Sequence, residues 1–136
     1  MNNLIDFEIL KLCEFIFFDF DGVFTDNSVI VSEDGEESVK CSRADGIGLN
    51  LLNLVNVGKC IVSTETNKVV YWRAKKLNVE CNQAIEDKGE FLKKYTSNNN
   101  IKLKNCAFVG NDINDLPALK IVGIPIGVAD SHPSIR

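Results

Sequence analysis

The junction where Phe15-Ile16-Phe17-Phe18 runs into Asp19-Phe20-Asp21-Gly22 constrains this chain more than any other stretch. Four apolar residues, three of them aromatic, predict a buried strand. It stops at two carboxylates one residue apart. On a strand, positions 19 and 21 project to the same side, so the two acids would repel one another unless something relieves the charge. A hard divalent cation such as Mg²⁺ does so, taking oxygen ligands from one or two carboxylates, waters and a substrate phosphate. A calcium loop of the helix-loop-helix kind fails: counted from Asp19, its sixth and twelfth positions hold Phe24 and Ile30 rather than glycine and glutamate. An ordinary turn at Asp21-Gly22 with Asp19 as a cap accounts for the polarity but not for the doubled acid. A phospho-acceptor receiver domain also pairs acids with Mg²⁺, and the order of the later motifs decides against it below.

The chain has 136 residues and a formal net charge of -4, with a pI near 5.0. Its length suits one domain, residues 1–136, with a real core. The acidic balance and scattered basic residues argue against a nucleic-acid surface. Cys13, Cys41, Cys60, Cys81 and Cys106 are odd in number and form no CxxC pair, so buried thiols are expected rather than disulfides or a zinc site. Met1 to Cys13 has no basic n-region and does not read as a secretory signal. The longest apolar run, 121–129, holds nine residues including Pro125, against the roughly 20 a membrane span needs. A soluble cytoplasmic protein is expected.

Along the chain, 28–32 and 37–41 flank Asp34-Gly35 and predict a small hairpin flap. A helix is expected over 45–57 with Ile47, Leu49, Leu51, Leu52, Leu54 and Val55 at helical spacing and Gly58 as its stop. A strand over 59–63, a helix over 66–77 with Trp72 as packing, a strand over 78–81 and a helix over 87–95 follow. Residues 97–100 read as a surface loop. A strand over 106–109, a helix over 113–122 that accommodates Pro117 in its first turn, and a strand over 124–128 complete the pattern. Five strands alternating with helices imply a three-layer α/β/α fold with a parallel sheet, whose ligands bind at the carboxyl ends of the strands.

Those ends carry the notable polar residues: Asp19 and Asp21 after the first strand, Ser63-Thr64-Glu65 after the second, Asn111-Asp112 with Asp115 after the fourth, and Lys88 opening a helix between. Each has a plain reading, as cap, turn or solvated charge. Together they supply a nucleophile, a hydroxyl donor, a cation and oxygen ligands around one crevice, a set that suits phosphoryl transfer.

Asp19-Phe20-Asp21-Gly22-Val23-Phe24-Thr25-Asp26, Ser63, Lys88 and Gly110-Asn111-Asp112-Ile113-Asn114-Asp115, in that order, resemble the four motifs of the haloacid dehalogenase superfamily of phosphatases. The order excludes a receiver domain, whose lysine follows a late strand. With 41 residues between Asp21 and Ser63 and 24 between Ser63 and Lys88, there is no room for a cap domain. The chain is similar to the capless branch acting on 3-deoxy-octulosonate 8-phosphate and nonulosonate 9-phosphates, as are Arg43 to Gly48 and Val128 to Pro133. Ser63-Thr64-Glu65-Thr66-Asn67 resembles the nonulosonate version, octulosonate enzymes usually carrying arginine where Glu65 stands. Arg73 and Lys76 match sugar-acid-binding positions there, and are otherwise solvated helix charges.

The resemblance implies that Asp19 attacks phosphorus, Asp21 is the general acid and base, Ser63 and Lys88 hold the phosphoryl group, and Arg43, Glu65, Arg73 and Lys76 meet the substrate. Mg²⁺ would be held by Asp19, Asp21, Asn111 and Asp112. It also implies a homotetramer, and no nucleic-acid or membrane partner. His132 reads as surface. Asn111 departs from the family, which usually has a metal-binding aspartate there. The sequence stops at Arg136, before the glycine-rich segment that usually follows the His-Pro pair and closes a neighbour's site in the family's tetramers; either that tail is lost or the sequence is a fragment. Two functions are therefore carried: a Mg²⁺-dependent sugar-acid phosphatase, and a degenerate phosphatase domain serving assembly, with a cytidylyltransferase as one partner.

Overall fold

The computed structural model of the chain describes residues 11–135. The reading of Met1 to Cys13 as no signal falls almost wholly outside them. Strand β1 (Phe15–Phe18) lies in the middle of a parallel sheet, between β4 (Gly58–Val62) and β6 (Cys106–Gly110). β5 (Glu80–Asn82) and β7 (Ile124–Gly127) flank them, giving the order β5-β4-β1-β6-β7. Alternating side chains feed two cores. Phe17, Cys60, Val62 and Phe108 pack on one face with Leu92 of α3 (Lys88–Asn98) and Ala118 of the short α4 (Leu116–Leu119). Ile61 and Phe20 pack on the other with Leu49 of α1 (Ala44–Leu54) and Val70 and Ala74 of α2 (Lys68–Leu77). This is the expected α/β arrangement, with parallel strands buried on both faces.

Between β1 and α1 stands only the hairpin β2 (Ile30–Val31) and β3 (Glu37–Ser38), separate from the main sheet and shorter than expected. Its turn is closed by Gly35, at φ +86°, and by the Ser32 N–H bonding to the Glu36 carbonyl.

Several boundaries differ from expectation for local reasons. α1 stops at Leu54, three residues early, and the chain turns at Asn56 (φ +57°). Gly58 is not the stop but the first residue of β4, where a Cβ would come 2.4 Å from the Phe15 ring. Only Leu49 of α1 is buried; Ile47, Leu51 and Leu54 remain exposed, as does Val55 just beyond it. α2 starts at Lys68, where the Asn67 side chain accepts the Val69 N–H, and ends on left-handed Asn78, which delays β5 to Glu80. α3 runs on to Asn98, taking the first two residues of the expected 97–100 loop and leaving 99–100 as a turn; Thr96 bonds back to the Leu92 carbonyl and sustains the last turns. The 113–122 helix is a 3₁₀ turn, Ile113–Asp115, followed by α4. Trp72 is not core: it is 60% exposed, edge-on to Tyr71, with the Lys75 ammonium 5.4 Å from its ring. All five cysteines are free, with Cys60 and Cys106 buried. Among the described residues no helix is long and apolar enough to cross a membrane.

Candidate active site

β1 ends at Phe18, but its ladder continues one residue further, because the Asp19 N–H donates to the Val109 carbonyl at 3.0 Å. Asp19 is thereby fixed at the carboxyl edge of the sheet, 6% exposed. The chain then folds into a turn in which the Val23 and Phe24 N–H groups share the Phe20 carbonyl, and Phe20 plugs the core. Strand alternation therefore does not position Asp21; the turn does, and leaves it half-buried.

Lys88, the first residue of α3, is fully buried. Its ammonium lies 3.0 Å from Asp19 Oδ1 and 2.6 Å from Asp115 Oδ1. The N-cap Asp87, whose side chain accepts the Glu90 N–H, sets the start of α3 and so aims Lys88 into the crevice. Asp115, also fully buried, spends its other oxygen on the Asn111 and Asp112 N–H groups. It is thus a positioning carboxylate, holding Lys88 with one oxygen and the loop after β6 with the other. The sequence hint was the Asp112-x-x-Asp115 capping box, in which Asp112 accepts the Ile113 N–H.

Ser63 follows β4 and is buried, its hydroxyl oxygen accepting the Glu65 N–H. Glu65 Oε1 accepts the Thr66 and Asn67 N–H groups, both at 3.0 Å, which fixes its carboxylate at the start of α2. Burial pushes the Asp19 carboxyl up to about 7, against the lowering influence of Lys88. Asp21 is also raised, first by burial and then by the Glu65 charge, with Lys88 opposing. For Asp21 this shift favours the protonated carboxyl, the direction a general acid requires.

A cavity of about 250 Å³ opens beside Asp21, between the hairpin and the loop after β4. Its polar lining includes Glu37, Glu65, Asn27 and Asn67, and no lysine or arginine. Glu37 was not singled out in the sequence, where nothing marks a hairpin carboxylate as pocket-lining, and Asn67 was noted only within the Ser63 to Asn67 stretch.

The structure brings Asp19, Lys88 and Asp115 into direct contact, couples Asp21 electrostatically to Lys88 and Glu65, and places Glu65 on the cavity. It does not bring Arg43, Arg73 or Lys76 to that cavity. Arg43 is exposed at the start of α1, and Lys76 is exposed on α2. Arg73 donates to the Ser42 carbonyl at 2.8 Å and ties α2 to the segment after the hairpin.

Comparison with known proteins gives the chain its family. Residues 50–136 match the family model of haloacid dehalogenase-like hydrolases. The chain belongs to the haloacid dehalogenase superfamily. It is 30% identical over 121 residues to the 3-deoxy-D-manno-octulosonate 8-phosphate phosphatase of Salmonella typhi, a match covering 85% of this chain and 62% of that protein. The chain thus spans about three fifths of that curated relative's length. Among solved structures, the corresponding phosphatase of Moraxella catarrhalis, in complex with magnesium, phosphate and the octulosonate, superposes with a TM-score of 0.90 at 28% identity, covering 96% of this chain and 75% of that one. The Yersinia pestis phosphatase gives 0.88 at 25% identity, covering 93% and 69%.

A divalent ion fits the residues present. Asn111 is 6% exposed, and its Oδ1 is a buried acceptor with no hydrogen-bond partner. Among the described residues no three His, Cys, Asp or Glu side chains converge as a metal cluster. Asp19, at the sheet edge, and Asn111, through its unpartnered amide oxygen, are the residues that would hold such an ion.

Proposed function

We propose that the chain hydrolyses a phosphate monoester of the sugar-acid class, an octulosonate 8-phosphate or nonulosonate 9-phosphate, through an aspartyl-phosphate and with Mg²⁺. The observation that carries this is the buried Asp19–Lys88–Asp115 chain at the end of the central strand. Such a costly arrangement does nothing for a sheet edge, whereas it orients a nucleophile and a phosphate-binding cation together. The Moraxella relative's complex with magnesium, phosphate and sugar acid supports the same reading.

An Asp19 carboxylate oxygen forms a bond to phosphorus while the ester P–O bond breaks, and Asp21 transfers its proton to the departing alkoxide. Asp21, now a carboxylate, takes a proton from water, whose oxygen attacks phosphorus and releases Asp19 and inorganic phosphate. Lys88 and the Ser63 hydroxyl neutralise the phosphoryl oxygens. Asp19, the Asp21 carbonyl and Asn111 would hold Mg²⁺, which when bound would supply further charge neutralisation.

The acid-lined cavity beside Asp21 receives the hydroxyl-bearing carbons next to the ester, and the substrate's own carboxylate lies outside it. In both proposed substrates the carboxylate and the phosphate sit at opposite ends of the sugar. Glu65 tilts the choice toward the nonulosonate, and an assembly of copies, a homotetramer by family resemblance, would supply the remaining contacts.

The test is phosphate release from both sugar-acid phosphates under a Mg²⁺ titration, wild type against Asp19→Asn. Loss of turnover in Asp19→Asn supports the reading; an inert wild type at saturating Mg²⁺ refutes it. Asn111 and the exposed apolar residues of α1 favour a second reading, a silent domain that serves assembly. Activity gained only by Asn111→Asp would select it.

A further inference from the structure

Asn111 is held from three directions, two through its backbone and one at its side-chain amide. Its backbone N–H donates to Asp115 Oδ2 at 2.9 Å, and its carbonyl accepts the His132 N–H at 2.7 Å. Its Nδ2 lies against Gly22, where a Cβ would stand 1.9 Å away, and Gly22 is at φ +82°. That leaves Oδ1, buried and without a partner. An unprotonated phosphate oxygen cannot fill the need, since it too is an acceptor. A cation or a water molecule on a cation can.

The neighbouring carboxylates do not make up the charge that an amide lacks. Asp115 is committed to Lys88 and to two backbone N–H groups. Asp112 is exposed and accepts the Ile113 N–H. Asp19 shares its Oδ1 between Lys88 and the Phe20 N–H. Beside the seat, then, Lys88 offsets one of the two carboxylates it touches, and Asn111 contributes oxygen without charge.

We propose that Asn111 makes divalent-ion binding conditional on phosphate, so that the two ligands bind cooperatively and the ion occupies its seat mainly in the phosphate-bound protein. This rests on the phosphatase reading and concerns regulation of the same site. A phosphate dianion beside the ion restores the missing negative charge, and the ion in turn strengthens phosphate binding by the same factor, because coupling between two ligands is reciprocal. An aspartate at 111 would supply that charge permanently and uncouple the two.

The experiment is calorimetric titration of Mg²⁺ into the full chain with and without saturating inorganic phosphate, heats of mixing subtracted, for wild type, Asn111→Asp and Asn111→Ala, each checked for folding by circular dichroism. In wild type, phosphate should tighten Mg²⁺ at least tenfold. Asn111→Asp should bind Mg²⁺ more tightly alone, with the coupling reduced severalfold; Asn111→Ala should lose at least tenfold in both states. Equal Mg²⁺ affinity with and without phosphate, undetectable Mg²⁺ binding, or an Asn111→Ala that binds like wild type would each overturn the proposal. Turnover of p-nitrophenyl phosphate separates the failures: an active wild type without coupling sinks only this inference, and an inert one sinks the phosphatase reading.

Discussion

Replacing Lys88 by methionine tests whether this ion chain is as central as its burial implies. The substitution keeps an unbranched side chain of similar length in a site with no solvent exposure, but leaves Asp19 and Asp115 without the ammonium at 3.0 and 2.6 Å. Removing one partner of a buried ion pair costs about 3–5 kcal/mol, mostly from the stranded charge. For a chain of this length that corresponds to a fall in Tm of roughly 10–20 °C. The loss should depend on pH in a defined direction. Asp19 is already raised to about 7 by burial, and Lys88 is the main influence lowering it, so the variant's Asp19 moves higher still. A carboxyl raised in the folded state binds its proton more tightly there than when unfolded. The stability it contributes is present below the unfolded value, 3.8, and is lost as pH rises through the folded one. Urea unfolding of Lys88→Met should therefore show the largest deficit above pH 7 and a clearly smaller one near pH 5. A deficit under about 1 kcal/mol, or one that is flat with pH, would mean that Lys88 is not compensating these carboxylates.

Asp21→Asn should lower the single-turnover rate of alcohol release by about 10²–10⁴-fold on alkyl phosphates and much less on p-nitrophenyl phosphate, whose leaving group needs no proton; equal losses in that first step would remove Asp21 as the acid. Gly58→Ala drives a methyl into the Phe15 ring, 2.4 Å from the Cβ position, and should cost about 1–3 kcal/mol in urea unfolding while leaving activity per folded molecule unchanged. Glu65→Arg removes the acceptor of two N–H groups at the start of α2 and should cost about 0.5–2 kcal/mol. By reversing the charge beside Asp21 it should also raise kcat/KM for esters with a carboxylate near the phosphate relative to neutral ones, and an unchanged ratio would show that Glu65 does not face the leaving group.

The central part of the candidate site was legible because its residues lie at strand ends, and an apolar run broken by acids marks such an end without knowledge of the neighbours. Lys88 and Asp19 were both visible; that Asp115 joins Lys88 was not, since a capping box and an ion-pair partner use the same residue types at the same spacing. The extents of elements were less legible. Ser97 and Asn98 are helical because Thr96 and Asn99 bond back to carbonyls of the preceding turn, a local choice that composition cannot settle. The helical spacing in α1 predicted a buried face, but periodicity reports an apolar stripe and not what covers it. Arg73 had the right charge for a sugar acid, and the structure spends it on a backbone carbonyl.

The strand order has a consequence for following how the molecule assembles. Phe15 pairs with Gly58 on one side and with Cys106 on the other, so the central strand is complete only when the last third of the chain has arrived. Asp19 takes its backbone bond from Val109 on that late strand, and Lys88 takes its second carboxylate from Asp115 just beyond it. Early collapse around β1 and β4 can therefore bury tryptophan-free core without producing a working crevice. Recovery of the proposed phosphatase activity after dilution from urea should lag the recovery of helical circular dichroism, with the gap set by the docking of β6.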